Sequence, residues 1–240
     1  MSEPVRLSKR LAELLPCSRR EAELYIEGGW VLVDGQIVEE PHFRVLAQQV
    51  ALHPEATLTP LTPVTFLLHQ PPDCAVEADS NAVQAMLVPA AQWPEDRSGI
   101  RVLKGHFARL TQTAPLESHA SGLVVFTQDW RVLRKLTEDA HKNEHEYIVE
   151  VSGELAPDGL ALLNHGLRFK GRALSPTKVS WQNETRLRFA VKHPEPGQIA
   201  HMCESVGLAV LSMKRIRIGG VAMGKLQPGQ WRYMAPHEKF

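Results

Sequence analysis

The sequence contains no Cys-x-x-Cys pair, no run of about 18 apolar residues of the kind that crosses a membrane, and no excess of either charge. Cys17, Cys74 and Cys203 are its only cysteines and stand far apart, which argues against both a disulfide framework and a zinc site. A reduced, cytoplasmic protein is the expectation. The opening Met1-Ser2-Glu3-Pro4-Val5-Arg6 lacks the apolar core of a signal peptide, so neither a membrane span nor export is expected. Lys plus Arg total 27, as do Asp plus Glu. No global field therefore marks a nucleic-acid binder, and any such binding has to come from local patches.

What is present begins with length. In 240 residues a substantial apolar core fits, in two unequal domains. The stretch from His53 to Pro63, with Pro54, Pro60 and Pro63, reads as an extended linker between residues 1–60 and 61–240.

The first domain has consistent local signals. Leu7, Leu11, Leu14 and Leu15 line one helix face, which stops at Pro16. Ser18-Arg19-Arg20-Glu21 has the form of a capping box and starts a second helix, with Ala22, Tyr25 and Ile26 inward and Gly28-Gly29 as its end. Asp34-Gly35 between Trp30–Val33 and Gln36–Val38 predicts a two-residue hairpin turn. Lys9, Arg10, Arg19 and Arg20 would cluster on and between the helices, where a helix pair beside a hairpin can meet RNA phosphates.

In the larger domain Val64–Leu68 reads as a strand stopped by Gln70-Pro71-Pro72-Asp73. Ser80 is a candidate cap for a short helix holding Val83, Met86 and Leu87, and Ala90 to Gly105 has no period and reads as loop. The polar stretch Ala114-Pro115-Leu116-Glu117 then runs into the apolar Ser121–Thr127, setting one carboxylate on a rigid mount. Asp129 is placed to cap a helix through Val132, Leu133 and Leu136, and Tyr147–Val151 alternates as a half-buried strand. A short helix near Leu160–Leu163, a hairpin of Val179–Trp181 with Leu187–Val191, a helix over Gln198–Val206 and strands at Leu208–Ile218 and Gln230–Arg232 complete the chain. The fold class is α+β: a small domain of helices plus hairpin, then a large, mainly antiparallel mixed sheet. His141 and His145 lack a further ligand, and Gly219-Gly220 with Gly224 lacks a phosphate-loop lysine, so no metal or nucleotide site is expected.

Arg6 to Leu11, Cys17 to Ala22 and Ile26 to Gly35 together resemble the S4 RNA-binding domain. The whole chain resembles the bacterial RNA pseudouridine synthases of the RsuA type. That family's Gly-Arg-Leu-Asp motif, followed at a fixed distance by a Gly-Leu strand, corresponds to Ala114-Pro115-Leu116-Glu117 and Gly122-Leu123. The resemblance implies a catalytic carboxylate at Glu117, which attacks the nucleotide or assists glycosidic cleavage before uracil rotates and rejoins through C5. It implies Tyr147 stacking on the base and Lys214, Arg215 and Arg217 in a basic strand facing RNA. It implies no metal or organic cofactor.

Several letters depart from the family's pattern. Glu117 stands for aspartate, Pro115 for the motif arginine and His145 for the lysine two residues before Tyr147. Gly197, Ala200 and His201 stand where an Arg-Gln-Ile-Arg-Arg-Met run would place arginines that neutralise the carboxylate. His69-Gln70-Pro71-Pro72-Asp73 stands for an Asn-Lys-Pro-x-Gly turn. Two expectations follow: a monomeric isomerase acting on a uridine in structured ribosomal RNA, or an inactive member that binds ribosomal RNA as an assembly or regulatory factor.

Overall fold

The computed structural model describes residues 3–72, 74, 80–117 and 119–240; the side chains of Ser80 and Asn81 lie outside the description, as do Asp73 and Ser118. The cap expected from Ser80 therefore falls outside it too. The chain divides into two compact units, Met1–Pro63 with Ile100–Leu110, and Val64–Gly99 with Thr111–Phe240.

In the first unit β1 (Val5–Arg6) leads into α1 (Leu7–Leu14), and α2 (Arg19–Glu27) follows. The Ser18 hydroxyl accepts from the Glu21 N–H at 3.2 Å while the Glu21 carboxylate accepts from the Ser18 N–H at 2.6 Å, the reciprocal capping box. Gly29, at φ +65°, turns the chain out of α2. Strand β2 (Val31–Val33) pairs with β3 (Gln36–Ile37) and β5 (Val50–Leu52), and β4 (Arg44–Val45) pairs with β1. Asp34 at φ 49° and Gly35 at φ 80° make the left-handed pair of a type I′ turn. Leu7, Leu11, Ala22, Ile26, Val31, Val33 and Val45 form the core of this unit.

Residues 100–110 belong to this unit, whereas the sequence reading put them in the larger domain. Polar anchors hold them, which leave no periodic trace. The Arg101 guanidinium lies 4.0 Å over the Trp30 ring and donates to the Gly28 carbonyl. The Lys104 N–H donates to Glu39 at 2.6 Å and its ammonium pairs with Glu40.

The second unit is a nine-stranded sheet with helices against it. In chain order it contains β6 (Thr65–Gln70), α3 (Ser80–Gln84), β7 (Thr111–Thr113), β8 (Ala120–Thr127), α4 (Trp130–Thr137), β9 (Glu144–Gly153), α5 (Gly159–Asn164), β10 (Arg168–Phe169), β11 (Arg172–Ala173), β12 (Lys178–Trp181), β13 (Arg186–Lys192), α6 (Gln198–Glu204), β14 (Leu208–Ile218), β15 (Val221–Ala222) and β16 (Trp231–Tyr233). The order across the sheet is β12-β13-β9-β14-β8-β6-β16, with β15 on β14 and β7 on β8. Strands β14 and β8 run parallel, and the remaining ladders of this sheet are antiparallel.

The two faces explain the helices. On one face Tyr147, Val149, Leu187, Phe189 and Met213 pack with Leu163 of α5 and Ile199 and Met202 of α6. On another core Leu67, Leu123 and Val125 pack with Val132 and Leu136 of α4. Asp129 caps α4 by accepting from the Arg131 N–H at 2.8 Å. Every residue of β6 and β8 is buried, so the middle of the sheet is covered on both sides. Among the described residues no helix is long and apolar enough to cross a membrane.

Gly122 is required where β8 meets β14. Its φ is +110°, and a Cβ there would lie 2.2 Å from the Arg215 carbonyl oxygen. Gly122→Ala is expected to lower unfolding stability by on the order of 3 kcal/mol, from strain and overpacking together. Denaturant titration with unchanged slope checks this, and a loss under about 1 kcal/mol would contradict the close approach.

Candidate active site

One line of paired residues crosses the middle of the large sheet: Gln70, Gly122, Arg215, Tyr147 and Phe189. The loop carrying Glu117 enters β8 beside this line. Ala114 and His119, at φ 47° and 66°, give it left-handed bends on either side of Glu117. The Ala120 N–H donates to the Glu117 carbonyl at 3.1 Å. Leu116 packs against the cluster that contains Tyr147, Ile199 and Met202, so the loop sits on the same core as the tyrosine and α6.

The Glu117 side chain is half-buried, and its Oε2 accepts from the Gly197 backbone N–H at 2.8 Å. Gly197 has φ +79°, and a Cβ there would find its nearest neighbour, Phe169, at 4.0 Å. The positions expected to offer arginines thus present a main-chain N–H at Gly197, a half-buried Ala200, and His201, whose Nε2 lies 3.0 Å from the Arg168 carbonyl. A hydrogen bond from the backbone holds the carboxylate where the family's pattern would use a guanidinium.

Tyr147 is 4% exposed in β9 and belongs to the core cluster. His145, two residues earlier on the same face, is equally enclosed, and its Nδ1 has no hydrogen-bond partner among the described residues. Burial first, then the charges of Arg215 and His193, push its imidazole down to about 3. It cannot supply the charge of the lysine it replaces.

The three bases of β14 separate. Arg215 is 1% exposed and donates to main-chain carbonyls: Nε and Nη2 to Leu123 at 2.8 and 2.6 Å, Nη1 to Pro115 at 3.5 Å, and Nη2 to Ala114. The expectation that Arg215 faces RNA is corrected: it shares the parity of buried Met213 and lies between its buried cross-strand partners Gly122 and Tyr147. Arg217 is held by Glu144 and Glu146, both at 2.8 Å, so its charge is already neutralised. Lys214 lies half-buried on the opposite face, beside a depression of about 270 Å³ lined also by Ile148, Glu150, Gln182, Arg186 and Ser212.

In the first unit Lys9, Arg10, Arg19 and Arg20 stand on the solvent faces of α1 and α2. Among the described residues the ion pairs of Lys9, Arg10 and Arg19 are long and intrahelical, at 4.0 Å and 3.9 Å to Glu13 and 3.7 Å to Glu23, which leave their charges available.

Comparison with known proteins fits this arrangement. Residues 5–50 match the S4 domain. Ribosomal small subunit pseudouridine synthase A of Vibrio cholerae is 26% identical over 239 residues, spanning 98% of this chain and 97% of that protein. The protein of the same name from Escherichia coli K12 is also 26% identical, spanning 98% of each. Over nearly its whole length the chain is similar to ribosomal small subunit pseudouridine synthases. The dual-specificity RNA pseudouridine synthase RluF of Salmonella typhi is 25% identical over 97% of this chain and 76% of its own. A crystal structure of a pseudouridylate synthase superposes with TM-score 0.58 over 96% of both chains at 19% identity, a likeness of fold. The relatives with which it aligns end to end carry the names of RNA pseudouridine synthases.

The buried His145 has a thermodynamic signature. In the unfolded chain an imidazole protonates near pH 6.5; in the folded one His145 stays neutral down to about 3. Between those values the unfolded state binds the extra proton, so this group removes stability as pH falls, by about 1.4 kcal/mol per unit. The denaturant midpoint of the wild type is expected to drop more steeply below about pH 6 than that of His145→Gln. Equal slopes, or a His145 ring signal that titrates near pH 6 by NMR, would refute the assignment.

Proposed function

We propose that the protein binds structured ribosomal RNA and converts one uridine to pseudouridine, with Glu117 as the catalytic carboxylate. The observation that carries this reading is the 2.8 Å hydrogen bond from the Gly197 N–H to Glu117 Oε2, which orients a half-exposed carboxylate on a loop anchored to a buried strand. The chemistry asks little else of the chain. The carboxylate attacks the ribose carbon or assists cleavage of its bond to N1, and the freed uracil turns. The ribose then bonds to C5, and the C5 hydrogen leaves as a proton. Glutamate carries the same group as aspartate on one further methylene. A misplacement of about 1 Å costs on the order of a hundredfold in rate, so the activity requires a loop that sets its backbone back by a similar amount.

Tyr147 is the group assigned to stack on the uracil, and the S4 module, through Lys9, Arg10, Arg19 and Arg20, is the anchor for RNA phosphates. Lys214 is a weaker candidate for the same role. The ribosomal names of the relatives support ribosomal RNA as the target class and the cytoplasm as the place of action. The protein is proposed to act as a monomer without cofactor.

A second reading has its own observation. Tyr147 is 4% exposed, and no arginine or lysine stands at 115, 145, 197, 200 or 201. Both facts favour a member that keeps the fold and the RNA footprint while its chemistry has lapsed, serving as an assembly or regulatory factor.

Release of tritium from C5-labelled uridine in ribosomal RNA separates the two. Release by the wild type that falls to background in Glu117→Ala supports the enzyme and excludes the binding-only reading. No release from wild type, with RNA binding intact, overturns the enzyme. Independently, Arg19→Ala with Arg20→Ala is expected to weaken RNA binding and to flatten the plot of log affinity against log salt by about 2. An unchanged slope would remove these residues from the phosphate contacts.

A further inference from the structure

We infer that Arg215 is the positioning residue of the Glu117 loop, and that its buried guanidinium sets this site's geometry where side chains at positions 197, 200 and 201 do not. The inference rests on the reading of Glu117 as the site's carboxylate. It differs from the role that a basic strand would suggest, because Arg215 touches main chain instead of nucleic acid.

The contacts are specific to a guanidinium. Arg215 donates to the carbonyls of Ala114 and Pro115 at the start of the loop and, through Nε and Nη2 at 2.8 and 2.6 Å, to Leu123 in β8. Those carbonyls bracket Glu117 in sequence. A rigid planar fork with five donors can join two segments in this way, and a lysine ammonium on a flexible stem cannot hold the same set. A charge at 1% exposure is tolerated only where dipoles surround it, and here main-chain carbonyls do so.

The backbone at both partners fits the same purpose. Ala114 holds φ 47°, a left-handed conformation unfavourable for a residue with a Cβ, while its carbonyl receives an Arg215 donor. Gly122, paired with Arg215 across β8 and β14, lacks the Cβ that would clash with the Arg215 carbonyl at 2.2 Å. Because the acceptors are carbonyls, the clamp is indifferent to the side chain at 115. Proline there removes an N–H and keeps the C=O that Arg215 uses. The far end of the carboxylate is then met by the Gly197 N–H. Main-chain groups meet the loop at both ends: carbonyls take the Arg215 donors, and the Gly197 N–H takes the Glu117 carboxylate.

Arg215→Lys keeps the charge and loses the fork. Its effect can be read without activity, by amide hydrogen exchange. The expected result is at least tenfold faster exchange confined to Ala120 and Gly197, with β9 and β13 amides unchanged and with RNA affinity and its salt slope unchanged within twofold. Where the wild type releases tritium, kcat should fall on the order of a hundredfold at constant KM. Loop exchange identical to wild type, or lost RNA affinity with a shallower salt slope, would overturn the inference; the latter would return Arg215 to phosphate contact. A merely structural role predicts faster exchange throughout β8, β9 and β14. If the variant fails to fold, the wild type still decides: Gly197 and Ala120 amides must be protected to a level near that of β8, and exchange at free-peptide rates would refute the clamp. A wild type inactive in tritium release leaves these exchange outcomes intact, so failure of the enzymatic reading is distinguishable from failure of this one.

Discussion

The second unit depends on the close parallel approach of β8 to β14. At Gly122 and Arg215 the two backbones come so near that a Cβ would lie 2.2 Å from a carbonyl oxygen. That approach joins the β12-β13-β9-β14 half of the sheet to the β8-β6-β16 half in one layer. It also turns the Arg215 side chain back along the sheet onto the loop before β8. The same contact therefore serves the packing of the core and the placement of a carboxylate. A parallel pair in an otherwise antiparallel sheet needs a long crossover, and here the chain between the two strands supplies β9, the hairpin of β12 and β13, and α6. Tyr147 and Gly197 arrive on that crossover.

Main-chain groups do most of the positioning. Carbonyls at 114, 115 and 123 receive Arg215, and the N–H at 197 meets Glu117. Backbone carbonyls exist whatever the side chain, and N–H donors at every residue but proline, so such a frame survives substitutions that would dismantle a site held by side-chain ion pairs. This gives a physical account of how Pro115, Gly197 and Ala200 coexist with an ordered carboxylate. It also limits what their presence says about chemistry: a kept frame is a statement about geometry, and the charge that an arginine would add is a separate matter.

Legibility in the sequence followed the range of each interaction. The capping box at Ser18 and Glu21, the Asp34-Gly35 turn and the helix cap at Asp129 involve neighbours a few residues apart, and the structure has each of them as read. The strand expected over Leu208 to Ile218 is β14, with the same bounds. Alternation also contained the inward direction of Arg215, since Met213 and Arg215 share a parity; reading the segment as a basic strand hid it. Strands of two or three residues such as β1, β4, β10 and β11 carry too few positions for a period to show. Residues 100–110 were opaque because ion pairs and a cation over Trp30 hold them, and neither leaves a pattern along the chain. The Gly197 contact could not be read at all, since a main-chain donor has no residue type.

Glu117 and Gly197 then invite a single explanation instead of two. An aspartate facing an arginine is a short acid meeting a long base. In this chain the acid is longer by a methylene, and the partner has shrunk to the backbone itself, with an open space at the missing Cβ where Phe169 is the first atom met, at 4.0 Å. Reach lost on one side of the pair is matched by reach gained on the other. Substitutions that compensate in length are expected where the distance between two segments is fixed by the rest of the fold, and here β8, β14 and α6 fix it. The longer acid and the small residue at 197 are complementary in length, joined by the 2.8 Å hydrogen bond. That makes the pair, and not Glu117 alone, the unit on which any remaining chemistry turns.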